Sequence, residues 1–244
     1  MSLADSLSIE DDVVDDGDRL GGDGYVWQSG VFPVVIDLAY LSESSSEAVG
    51  LNMVYKDENG RELKNTLWIK SGKNSKNPKK TYYVKEGVKH NLPGMNHANA
   101  IALLTLGKQL TDLTVTEKTV ALWDYDAKAE VNTKVEVYMD LIDQRIDVGV
   151  LRQIVDKNEL NETTGKWEAT GEVRDINEVD KFFRESDGLT VTEIQAGETV
   201  PTFKEKWETK WTGVTQNKAT AVKASGATGG SPATAPTTTK KLFK

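Results

Sequence analysis

Residues 48–70 read AVGLNMVYKDENGRELKNTLWIK, and this stretch decides the fold. Two runs of alternating apolar and polar side chains, 48–55 and 62–70, flank Asp57, Glu58, Asn59 and Gly60. Alternation puts successive side chains on opposite faces of a strand. An Asn-Gly pair between such runs marks a tight hairpin, because both residues accept positive φ. Leu63, Leu67 and Ile69 then share one face, and Trp68 lies on the other. Burying Leu67 and Ile69 leaves Trp68 exposed.

Outward from this hairpin the period stays mostly two. Residues 31–41 (VFPVVIDLAYL) form a largely buried strand, with Pro33 near its start where a missing donor is tolerated. Residues 71–80 are a loop of Gly, Asn, Ser, Pro and Lys, and 80–84 a further strand. Residues 96–106 (NHANAIALLTL) form the clearest helix, with Asn96 as N-cap and Gly107 as its stop, after a turn at Pro93 and Gly94. Strands are expected at 119–125, 132–140, 144–156 and 167–173, with Asp143 and Gln144 closing a tight hairpin. A short helix is expected at 178–184, and 201–210 is ambiguous. Trp27, Trp123, Trp167, Trp207 and Trp211 read as core or core-edge residues, as large aromatics usually do. Many strands without regular strand–helix alternation give a mainly β protein with one or two short helices. The expected architecture is an elaborated, oligonucleotide-binding-type antiparallel barrel, with a β-sandwich as the alternative.

Charge is unevenly placed. The chain of 244 residues carries a net charge of −8, yet residues 69–91 hold seven lysines against Glu86 alone. Residues 1–24 hold eight acids against Arg19. A cationic segment on an acidic protein marks a local polyanion site. Lys70, Lys73, Lys76, Lys79 and Lys80 can follow a phosphate backbone, and Trp68, Tyr82 and Tyr83 supply ring faces for unpaired bases. As neighbours on a strand, the two tyrosines point to opposite faces, so one stacks and the other enters the core. The competing reading is a solvated lysine loop that protects a sheet edge from aggregation.

Other classes leave thin traces. Without cysteine there is no thiol nucleophile, thiolate metal site or disulfide. His90 and His97 fall in no triad or zinc spacing, and no phosphate-loop or dinucleotide pattern occurs. No catalytic residue, metal ligand or cofactor is expected, and no apolar run approaches a membrane span. Three segments are expected: a flexible acidic one (1–24), a nucleic-acid-binding domain (25–212), and a flexible Ala/Thr/Gly/Pro-rich tail (213–244) ending in the basic-apolar KKLFK. The acidic segment could act as a phosphate mimic that occupies the basic site.

The order of features, GYVWQSGVFPVVIDLAYLSESSSEAVGLNMVY, the Asn-Gly hairpin, TLWIKSG, KKTYYV and HNLPGMNHANAIALLTLGKQL, resembles single-stranded DNA-binding proteins encoded by tailed bacteriophages. The resemblance covers roughly residues 24–140, and 165–211 fit less clearly. It implies a non-enzymatic protein that coats single-stranded DNA in replication and recombination, in the cytoplasm of an infected bacterial host. Homo-oligomers, and replisome or recombination partners docked through residues 240–244, belong to the same expectation. By position the implied contacts are Trp68, Lys70, Lys73, Lys79, Lys80, Tyr82 and Tyr83. The ending departs from that class, whose tails are acidic, because here the acids sit at the other terminus. A phage structural or interaction protein and a metal-dependent nuclease of a replication module remain the alternatives.

Overall fold

The computed structural model describes residues 26–124 and 127–220. The acidic segment 1–24 and residues 221–244 lie outside the described residues. The 14-residue strand β1 (Gly30–Glu43) organises the sheet. On one side it pairs antiparallel with β2 (Val49–Lys56), which pairs with β3 (Glu62–Lys70) across the Asn-Gly turn. Leu51, Met53 and Tyr55 from β2 and Leu63, Leu67 and Ile69 from β3 are buried, as their alternation requires.

A loop leads from β3 to a separate two-stranded ribbon, β4 (Tyr82–Lys85) and β5 (Val88–Asn91). Helix α1 (Pro93–Leu106) follows and buries Ala98, Ile101, Ala102 and Leu104 against the sheet. Its first residue is Pro93, whose fixed φ suits the first helical position, so Leu92 and not Asn96 precedes the helix. Gly107 ends it in the left-handed conformation.

Next come β6 (Val115–Asp124) and β7 (Ala129–Tyr138), paired as a ribbon. Asp143 and Gln144 close no hairpin, because β7 and β8 (Arg145–Asn161) both pair with β1, at Tyr40–Val137 and Val34–Ile146. Ile36 donates to the Gln144 carbonyl and accepts from the Asp143 N–H, both at 2.9 Å, so the chain passes along β1.

The helix expected at 178–184 is instead the end of one long strand, β9 (Lys166–Phe183), paired with β8. The register steps from Gly149–Lys181 to Val150–Val179, which leaves Asp180 as the extra residue of a β-bulge. The bulge puts Val179 and Phe182, three apart, into the same core, and that spacing imitates a helix in the sequence. Two short helices follow, α2 (Val191–Gln195), held by a capping box between Thr190 and Glu193, and α3 (Thr202–Trp211). Trp207 of α3 builds a second, smaller core with Leu151 and Phe183. Folded structure continues past the expected boundary at residue 213, because β10 (Thr215–Asn217) pairs in parallel with β8. That polar triplet has no apolar signature in the sequence; backbone pairing holds it.

The protein is thus mainly β and antiparallel, with three short α-helices and two single 3-10 turns among the described residues. β3 has β2 as its sole hydrogen-bonded strand neighbour among the described residues. Opposite its outer edge, clefts separate it from β9 at Asp175–Asn177 and at Glu178 and Val179. Trp27 spans this gap, exchanging two 2.8 Å hydrogen bonds with the Asn177 side chain. No helix among the described residues is long and apolar enough to cross a membrane.

Candidate nucleic-acid interface

Trp68 stands where the alternation of β3 puts it, 48% exposed between buried Leu67 and Ile69. Two glycines fix its pose. Its cross-strand partner is Gly50, where a Cβ would lie 3.4 Å from Cε3 and Cζ3 of the indole, so the ring rests across bare β2 backbone. On the other side, a Cβ at Gly94 would fall 2.4 Å from the Trp68 carbonyl oxygen and 2.6 Å from its nitrogen. The first turn of α1 therefore presses on the backbone of β3 at Trp68. Trp68 and Lys70 line one cleft of about 490 Å³, together with Leu92, Pro93, His97 and Glu178. Burial, and then the Lys181 charge, hold the His97 imidazole below its usual pKa.

The lysine loop is ordered by its own hydrogen bonds. Ser71 N–H donates to the Lys80 carbonyl (2.8 Å), and Lys79 N–H donates back to Ser71 (3.1 Å). Lys73 N–H donates to the Ser46 carbonyl (2.7 Å), which ties the loop to the turn between β1 and β2. From that turn Glu47 reaches across, with Lys73 Nζ at 3.3 Å from one oxygen and Lys79 Nζ paired with the other. The Lys79 contact, then Lys73, pulls the Glu47 carboxyl below the usual glutamate range, and Lys79 is raised in return. Lys76 and Lys80 are exposed and carry no ion pair among the described residues.

The tyrosines depart from expectation, since neither enters the core. They sit on the β4–β5 ribbon, outside the main sheet, where Tyr83 stacks on His90 with ring centroids 5.4 Å apart. Lys89 Nζ lies 5.0 Å from the centre of the Tyr82 ring. The structure therefore joins Trp68 with Lys70, and Lys73 with Lys79. Lys73, Lys76, Lys79, Lys80, Tyr82 and Tyr83 do not line the cleft that holds Trp68 and Lys70.

Glu47, Gly50 and Gly94 carry no sequence signal for their parts in this region, because each acts across a fold-dependent contact. Trp123 and Trp167 are corrections of a different kind. They are 56% and 70% exposed, on the β6–β7 and β8–β9 ribbons, whereas Trp27 and Trp207 are buried as expected. Both ribbons project beyond the core, so their alternation has no buried face to fill. Among the described residues no group of three or more His, Asp or Glu is placed to hold a metal ion.

No protein-family model matches this chain, and no curated protein matches it.

Proposed function

We propose that this chain binds single-stranded DNA without strong sequence preference, as a non-enzymatic coating protein of phage replication and recombination acting in the cytoplasm of the infected host. The observation that carries the reading is Trp68, held open on β3 with Lys70 in the same cleft and the lysine loop continuing from the same strand. A base stacks on the indole while the ammonium groups neutralise the phosphates on either side. Phosphates also displace Glu47 from Lys73 and Lys79, so the strand exchanges one anion for another. Self-association along the strand, and replication or recombination proteins as partners of residues 240–244, belong to the same proposal. Fluorescence anisotropy of a poly-dT oligonucleotide against its duplex tests it. Preferential binding of the single strand supports the reading, and equal or absent binding removes it.

A second reading, an interaction protein, is favoured by one observation. Leu160 and Trp167 face each other across the outer part of the β8–β9 ribbon, both exposed. A protruding apolar pair of this kind suits a protein partner. That reading requires no oligonucleotide binding.

A further inference from the structure

The outer face of the β1–β3 sheet and the β6–β7 ribbon enclose two adjoining troughs of about 690 and 510 Å³, which share Tyr40, Leu122 and Trp123. Leu38 and Val54 extend the apolar floor of the first. The rim is acidic, with Asp37, Glu43, Glu62, Glu130 and Glu136 against Lys64 and Lys134. Both lysines are already engaged, Lys64 with Glu62 at 3.2 Å and Lys134 with Glu117 at 3.0 Å, while Lys56 lies 3.1 Å from Asp37. Glu43, Glu130 and Glu136 form no salt bridge among the described residues, although Glu43 lies within reach of the Lys79 charge. The uncompensated charge is therefore negative, and a phosphate backbone is repelled from the trough itself.

We infer that the trough is a docking site for a cationic, apolar peptide, and that its occupant is this chain's own residues 240–244, KKLFK. Lys240, Lys241 and Lys244 complement the acidic rim, above all Glu130 and Glu136, and Leu242 and Phe243 match the floor around Trp123. The described chain stops at Thr220, whose N–H donates to Asp156 of β8 at 3.0 Å. The 19 residues from 221 to 239 contain no acid and are dominated by Ala, Thr, Gly and Ser. Extended, they reach about 60 Å, more than the roughly 40 Å across a compact body of this size. Tethering raises the local concentration of the segment to about the millimolar range, so even a weak contact is populated. The docking stands independently of whether the chain binds DNA, because it uses the opposite sign of charge; Trp68 lies on the same outer face, one cross-strand row beyond Asn52 and Thr66 of the trough.

Full-length chain carrying Phe243→p-benzoylphenylalanine, irradiated at low micromolar concentration and mapped by mass spectrometry, tests this. The expected result is crosslinking within one chain to residues 38–54 or 120–136. The yield should fall roughly tenfold in Glu130→Gln/Glu136→Gln, and also on adding 0.5 M salt, about where surface attraction is screened. Trp123→Ala gives the same loss through the floor; circular dichroism checks that both variants are folded. Crosslinks between two chains, crosslinks mapped to another surface, no crosslink, or a yield indifferent to the charge variant each overturn the proposal.

Discussion

Glu47 sits between Lys73 and Lys79, one carboxylate oxygen 3.3 Å from the first ammonium and the other oxygen paired with the second. Two of the loop's cations are thus occupied by an internal anion, brought from another turn of the chain. A phosphate must compete with it.

Replacing that anion should expose the competition. Glu47→Gln is expected to tighten poly-dT binding several-fold at low salt while leaving the slope of log affinity on log salt near its native value, because the same five lysines engage phosphates in both. Acid should act in the same direction. The Glu47 carboxyl titrates below the usual glutamate range, so the pairs are intact above that depressed value and are lost as pH falls through it. Binding measured from pH 7 to pH 3 should show a larger gain in the native chain than in the variant. An unchanged affinity in Glu47→Gln would leave the pairs without a part in binding.

Gly94 gives a prediction whose sign separates two effects. Helix propensity alone favours Gly94→Ala by about 1 kcal/mol. Against that stand backbone atoms of Trp68 at 2.4 and 2.6 Å from the new Cβ, which cannot swing aside as a side chain could. Overpacking costs about 1–3 kcal/mol, so the variant should be net destabilised. Urea unfolding checks the direction, and a more stable variant would contradict the close approach of α1 to β3.

Tyr55 should behave in the opposite way. Its ring is fully buried on β2, and its hydroxyl has no hydrogen-bond partner among the described residues. Burial alone raises its pKa far above the usual tyrosine value. An orphaned buried polar group costs about 1–3 kcal/mol, so Tyr55→Phe should be neutral or stabilising by about 1 kcal/mol. A higher urea midpoint at constant slope is the expected result, and a loss of stability would reveal a partner for the hydroxyl.

His97 links stability to pH. Burial holds its folded pKa below the ordinary value of about 6.5. As pH falls through that value the unfolded chain takes up the proton first, so stability should decline towards acid until the folded pKa is passed. Melting temperature should show this fall between pH 7 and pH 5, and it should be weaker in His97→Gln.

Trp68 and Trp123 should differ in what they bind. Trp68→Ala is expected to weaken poly-dT binding by ~1–3 kcal/mol, the worth of one stacked base. Trp123→Ala should leave it unchanged, because the rim of the trough that ring lines is acidic on balance. Equal losses at both positions would extend the strand's path from Trp68 into the acidic trough.

Much of this was legible in residues 48–70. The hairpin, the buried face of β3 and the exposure of Trp68 all follow from a period of two around an Asn-Gly turn, and β3 has the expected bounds. The bulge at Asp180 was not legible, because an extra residue in a strand changes the apolar spacing from two to three and reads as a helix. The ribbons were missed for a related reason. Alternation implies a buried face, but β6–β7 and the outer part of β8–β9 run beyond the core and leave Trp123 and Trp167 exposed. In the basic region the lysines were countable, while Glu47, 23 residues upstream of Lys70, was invisible because the fold alone brings it there.

The most direct test of single-strand binding is the affinity for poly-dT measured across a salt series. Five lysines engaging phosphates predict a log–log slope of about −3.5, from 0.7 per contact on a single strand. Lys76→Ala/Lys80→Ala should make that slope shallower by about 1.4. An affinity indifferent to salt, or a slope that these two substitutions leave untouched, would contradict the claim that the loop after β3 neutralises a nucleic-acid backbone.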